Sequence, residues 1–179
     1  MTRSSFQPSS VLFDKGVIRR VYERRVRLAL GEQPTLLQVE AANAYARIAT
    51  ITDRLYITEQ TYNILKLRTE SFAAPILAET CELKKARYLL RWARRIKDFG
   101  FSPEDAIVLA YGSFGVHPKS PTVGVDAIIT TDIGLAENYN RRYFAIEGRF
   151  RDMVLNLSEF YGALTLPQVV TTVAVLSMI

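Results

Sequence analysis

The strongest constraint on this chain is a pattern met three times: a short, mostly apolar run closes on a polar residue, and a helix-compatible stretch follows. Val11-Leu-Phe13 ends at Asp14, Leu55-Tyr-Ile57 ends at Thr58, and the run from Val125 to Thr130 ends two residues before Asp132. Apolar runs of this length read as strands buried on both faces, which is how parallel sheets are built. Strands alternating with helices predict an α/β fold with a mainly parallel central sheet.

The helices between them carry their own signals. Val17, Val21 and Leu28 mark one side of a helix over about 17–30, with Gly31 as its stop. Pro34 opens a second, with Leu37, Ala41, Ala44 and Ile48 at helical spacing, and Thr58 caps a third carrying Tyr62 and Leu65. Pro75 argues against a central strand over 72–77. Leu83, Tyr88, Leu89, Trp92 and Ile96 predict one long amphipathic helix from Cys81 to Phe99, ended by Gly100. Ser102-Pro-Glu-Asp105 is a helix start, with a hydroxyl cap, a proline in the first turn and acids at the positive helix end. A further helix is expected over 135–142, a last strand over 153–157, and a short helix from Ser158-Glu159. The resulting organisation is a flexible leader over 1–10, one domain over 11–160, and an apolar extension over 161–179 that packs on the domain or on a partner.

At 179 residues, with 49% hydrophobic and 23% charged positions, the chain buries enough surface to need no metal or disulfide staple. Cys81 is the single cysteine and has no ligand-spaced partner, so it reads as an inert thiol. No apolar run approaches the ~20 residues that span a bilayer, and no signal-peptide core stands at the start, so a soluble cytoplasmic protein without membrane contact is expected. The net charge of +5 is concentrated: residues 1–30 hold seven cations and two acids, and so account for the whole excess. Arginines outnumber lysines 17 to 6, a bias that suits phosphate. Trp92 reads as core, Tyr22 and Tyr139 as packed side chains more than base-stacking platforms, and His117 as a poor general base.

Three acids stand where an α/β fold places its chemistry, beyond strand ends or in the first turn of a helix: Asp14, Asp105 and Asp132. Converging carboxylates offer hard oxygen ligands to Mg2+ or Mn2+, which would activate water against a phosphodiester. No Asp-x-Asp follows a strand, since Gly16 stands two after Asp14; no Walker loop or dinucleotide fingerprint occurs, and Gly112-Ser-Phe-Gly115 has the wrong spacing for a nucleophile elbow.

Taken in order, Val11-Leu-Phe-Asp14, Leu55-Tyr-Ile-Thr-Glu-Gln-Thr-Tyr-Asn-Ile-Leu65, Pro103-Glu-Asp-Ala-Ile-Val-Leu-Ala110 and Val125-Asp-Ala-Ile-Ile-Thr-Thr-Asp132 resemble the PIN-domain ribonuclease superfamily. The resemblance touches most of 11–160, with 154–160 as the family's closing strand and helix start. It implies a three-layer α/β/α sandwich and Mg2+- or Mn2+-dependent cleavage of RNA, with Asp14, Asp105 and Asp132 as catalytic and metal-holding acids, Thr130 as the supporting hydroxyl, and a toxin-type role with an antitoxin or other protein partner, or a homodimer. Arg19, Arg20, Arg24 and Arg25, on the helix after Asp14, would meet the RNA backbone. The sequence departs from the family at its second acid, where Ile64 stands. Glu59 is the nearest substitute but lies about 140° away around a helix. Lys15 follows Asp14 where a small polar residue is common. These departures support an alternative, a catalytically inert PIN-like module that binds RNA or a protein.

Overall fold

The computed structural model describes residues 6–68, 71–119 and 123–178. Five parallel strands form one sheet: β1 (Val11–Phe13), β2 (Leu55–Thr58), β3 (Cys81–Leu83), β4 (Ala127–Thr130) and β5 (Gln168–Thr171), in the order β3-β2-β1-β4-β5. Every residue of β1, β2 and β4 is buried, so the apolar runs are apolar because both sheet faces are covered. Phe13 lies opposite both Ile57 and Ile129, which brings the carboxyl ends of these three strands to one edge.

Helices cover the two faces. Strand residues Val11, Phe13, Ile57 and Ile129 point into one core with α1 (Lys15–Ala29), α2 (Leu36–Ala49), α3 (Glu59–Lys66), α4 (Ala74–Glu79) and α9 (Thr172–Met178). Leu12, Tyr56, Ile128 and Val169 point into the other, with α5 (Leu89–Lys97), α6 (Pro103–Phe114) and α7 (Ile133–Val154); α8 (Glu159–Gly162) follows α7. The three-layer α/β/α sandwich expected from the sequence is the fold observed. Among the described residues, no helix is long and apolar enough to cross a membrane.

Local chemistry explains most boundaries. Thr35 and Gln38 form a reciprocal capping box, so α2 opens at Leu36, two residues later than Pro34 suggested. Thr58 and Ser102 cap α3 and α6 by accepting from the backbone N–H three residues on, each cap worth about 1 kcal/mol. Gly31 and Gly100, expected as stops, have φ of 74° and 80° just beyond α1 and α5, a region that disfavours any side chain.

Three expectations are corrected. The helix over 81–99 is a strand and a shorter helix. Cys81–Leu83 pairs with Tyr56–Thr58, and the chain re-enters a helix only at Leu89, from which Leu89, Trp92, Ala93 and Ile96 form the buried stripe. The strand over 153–157 is absent because Tyr139, Ile146, Phe150 and Met153 continue one buried helical stripe, and α7 runs 22 residues to Val154. The last strand comes instead from the apolar extension. β5 pairs with β4, Val175 of α9 is fully buried, and Thr172 Oγ1 donates to the Glu40 carboxylate of α2. The leader is also held before β1 begins. Pro8 and Ser10 are buried, Ser9 N–H donates to Asp126 Oδ2 at 2.8 Å, and Asp126 N–H donates to Ser10 Oγ at 3.1 Å; residues 1–5 lie outside the described residues.

Candidate functional site

In an open parallel sheet, ligands bind beyond the carboxyl ends of the strands, where the strand order reverses direction. Here the chain winds outward from β1 to β3 and then crosses back to β4, so the switch point lies between β1 and β4. Asp14 leaves one of these strands, and Thr130, Thr131 and Asp132 leave the other.

Thr130 ties the two together. It is fully buried, donates from Oγ1 to Asp14 Oδ2 at 3.0 Å, and accepts at 3.0 Å from the Asp132 backbone N–H. Asp14 holds the N-cap position of α1, but its side chain makes no cap bond, being directed across the switch point to Thr130. Asp132 turns back on its own helix: Oδ1 accepts from Leu135 N–H at 2.9 Å and caps α7. One close approach compresses the edge. A Cβ on Gly16 would lie 2.7 Å from Thr131 Oγ1, so the first turn of α1 meets the β4–α7 turn only because residue 16 is glycine.

The electrostatics are those of a desolvated acid among mixed charges. Burial pushes the Asp14 carboxyl above its ordinary value, and the nearby charge of Asp105 pushes the same way. The Thr130 hydroxyl, the Lys15 backbone N–H and the Lys15 ammonium oppose this by favouring the anion. Asp105, half-buried in the first turn of α6, is therefore electrically coupled to Asp14. Lys15 forms an ion pair with Glu104, the residue before Asp105.

The second-acid position differs in kind. Ile64 is 41% exposed on α3, an aliphatic side chain toward solvent. Glu59 begins α3, and its charge acts on the buried Tyr111 hydroxyl of α6, which burial, Glu59 and Glu82 together push up to about 12. The Tyr111 hydroxyl has no hydrogen-bond partner among the described residues.

The structure thus brings Asp14, Asp105 and Thr130 to one place and links Asp132 to them through Thr130. Among the described residues, no group of three or more His, Cys, Asp or Glu side chains is arranged to hold a metal ion. With Asp132 capping α7 and Ile64 unable to ligate, this donor set does not fit a Mg2+ or Mn2+ centre of the expected kind.

Of the four arginines after Asp14, Arg19 pairs with Glu23 at 3.7 Å, while Arg20, Arg24 and Arg25 are half-buried with no acidic partner among the described residues. Tyr22 is 8% exposed with the Arg68 guanidinium 5.2 Å from its ring centroid, and Tyr139 is buried and donates to Pro167 O at 2.9 Å, so neither presents a face to a base. Trp92 is fully buried, and Cys81 is exposed on β3.

Three contributors escaped sequence reasoning: Gly16, Glu104 and Tyr111. Gly16 stands two residues after a strand-end acid, a spacing that signals close backbone approach. Tyr111 follows Glu104 by seven residues, two helical turns, which places both on one side of α6. No protein-family model matches the chain, and no curated protein matches it.

Proposed function

We propose that this is a PIN-like RNA-binding protein that holds an RNA strand across the carboxyl edge of its sheet and down α1 without hydrolysing it. The observation that carries the reading is the Lys15–Glu104 ion pair beside Asp14. An ammonium held among the carboxylates supplies internally the positive charge a divalent ion would bring, and it repels such an ion. Ile64 at the second acidic place supports the same reading, since it offers no oxygen to a metal or a water.

Binding follows from charge placement. Arg19, Arg20, Arg24 and Arg25 offer guanidinium groups along α1 to successive phosphates, and such contacts bind backbone without reading sequence.

The test is a fluorescence-anisotropy titration of a labelled single-stranded RNA at several salt concentrations, with and without Mn2+. The logarithm of the association constant should fall linearly with log salt. In an Arg20→Gln/Arg24→Gln double variant the slope should shrink by about 1.4, at roughly 0.7 per single-strand phosphate contact. The RNA should remain intact with Mn2+. A second reading, the metal-dependent ribonuclease, is favoured by one observation, the coupling of Asp105 to Asp14. Mn2+-dependent cleavage abolished by Asp105→Asn would establish it and overturn the first.

A further inference from the structure

Helix α1 divides its cations into two sets. Lys15, Arg19 and Arg27 each have an acid, namely Glu104, Glu23 and Glu32. Arg20, Arg24 and Arg25 have none within 4.0 Å among the described residues. The Nε atoms of Arg20 and Arg24, one helical turn apart, are buried and lack any hydrogen-bond acceptor. A buried donor without a partner costs about 1–3 kcal/mol, and more on a charged group, so native chains rarely keep two of them in succession without a bound group to satisfy them.

Arg24 and Arg25 border a cavity. Between α1 and α2 lies a space of about 310 Å3 lined by Val21, Arg24, Arg25, Ala42, Tyr45 and Glu79, among others. Its floor is apolar, and the small alanine side chains of α2 leave it open. Glu79 is the only acid in its wall, and that carboxylate accepts from the Tyr45 hydroxyl at 2.8 Å. Burial and Glu79 hold the Tyr45 phenol well above its ordinary value, so it stays a neutral donor committed to Glu79. Arg24 and Arg25 line the cavity with no ion-pair partner within 4.0 Å among the described residues, two cations against the one carboxylate of Glu79.

We propose that this cavity binds a phosphomonoester, with the dianionic phosphate held by Arg24 and Arg25, Arg20 adding charge from the turn above, and an apolar or planar group lying on Val21 and Ala42. Arginine forks match phosphate geometry bidentately, and the volume, at the small end for ligand sites, admits one nucleotide and not a strand. Arg24 is nine residues beyond Lys15, about 14 Å along α1 at ~1.5 Å per residue, so this is a site apart from the carboxylate edge. The phosphate has two sources of the same chemistry: the 5′ end of an RNA or a free mononucleotide. The inference stands whether or not the chain binds RNA along its edge.

Calorimetry with AMP, inorganic phosphate and adenosine on the full chain tests it. AMP should bind at one per chain, phosphate more weakly and adenosine undetectably, and AMP affinity should weaken as the pH falls below about 6, where the phosphate gains a proton. Arg24→Gln and Arg25→Gln should each weaken AMP by about tenfold or more, while Arg149→Gln, on the exposed surface of α7, should leave it unchanged. A melting curve identifies any variant that fails to fold, and the other arginine variant then carries the test. Tighter binding of a 5′-phosphorylated than of a 5′-hydroxyl RNA octamer names the RNA end as the source; equal RNA affinities alongside AMP binding name the free nucleotide. No binding of AMP or phosphate, or AMP affinity unchanged in a folded Arg24→Gln, overturns the proposal. Loss of edge binding to 5′-hydroxyl RNA with AMP binding intact would sink only the RNA-binding reading.

Discussion

The two faces of the sheet are built from different materials. On the α5–α7 face the core is a set of interlocked rings: Trp92 and Phe150 with centroids 5.2 Å apart, Phe114 and Phe150 at 5.6 Å, Tyr88 and Tyr161 at 5.1 Å. On the α1–α2 face the core is Val11, Val17, Ala41, Ala44 and Ile48, with Phe13 and Tyr45 as the ring pair, at 4.8 Å. Rings fill volume and add roughly 0.5–1.5 kcal/mol per pair beyond their buried area. Alanines do the opposite: they let helices approach, leave space between them, and allow arginine stems to lie half-buried along the helix. The ring face is held by aromatic contacts, and the small-residue face carries, between α1 and α2, a cavity with Arg24 and Arg25 in its wall.

The largest expected effect tests the first half of that contrast. Trp92 is fully buried, and its Nε1 donates to Ser113 Oγ at 3.2 Å, so Trp92→Ala removes a large side chain and leaves the Ser113 hydroxyl only its bond to the Leu109 carbonyl. It should cost about 3–5 kcal/mol, lowering the melting temperature by some 6–20 °C at roughly 2–4 °C per kcal/mol for a domain of this size. RNA affinity measured well below the new midpoint should be unchanged. A Trp92→Ala variant that melts normally but binds RNA poorly would break the division between the faces.

Gly16→Val tests where the binding face is anchored. Its Cβ would meet Thr131 Oγ1 at 2.7 Å, so α1 must move away from the β4–α7 turn. Overpacking of this kind costs about 1–3 kcal/mol. Unlike Trp92→Ala, it should also weaken RNA binding, because it displaces Lys15 and Arg19 relative to Asp14 and Thr130. Calorimetric melting and the anisotropy titration on the same preparation separate the two effects; full RNA affinity in this variant would show that α1 acts independently of the switch point.

How much was readable in advance follows the same contrast. β1, β2 and β4 were legible because central parallel strands must be apolar throughout, and Thr58 and Ser102 because caps are local. β3 was not: it is three residues long at the sheet edge, its Cys81 is exposed, and only pairing with β2 distinguishes it from the helical pattern that follows. β5 was missed because Phe150 and Met153 keep helical spacing where a strand was expected. At the site, Asp14 and Asp105 were found from a strand end and a helix start, and Thr130 from the resemblance to PIN domains. The Lys15–Glu104 pair joins residues 89 apart, and the Asp132 side chain is claimed by its own helix; both depend on tertiary placement. Arg20, Arg24 and Arg25 were read as cations, but their lack of partners is a property of the fold alone.

The smallest expected effect carries a distinctive pH signature. Asp14 has its carboxyl raised above 3.8, first by burial and then by Asp105, so the folded protein holds that proton more tightly than the unfolded chain does. Between the unfolded value and the raised folded one, the folded state binds more protons, and stability therefore falls as pH rises through that window. Above it the penalty is fully present; below 3.8 it vanishes, because both states are protonated. Asp14→Asn keeps an oxygen that can accept from Thr130 Oγ1 and removes the desolvated charge. It should raise the melting temperature at pH 7 by about 2–4 °C, the shift that ~1 kcal/mol brings in a domain of this size, and trading a strained functional group for stability is a common outcome. The gain should shrink as pH is lowered toward 3.8. A constant gain at all pH values would mean that the charge of Asp14 is not what costs stability, and a loss at pH 7 would mean that Lys15 stabilises the ionised carboxylate more than burial penalises it.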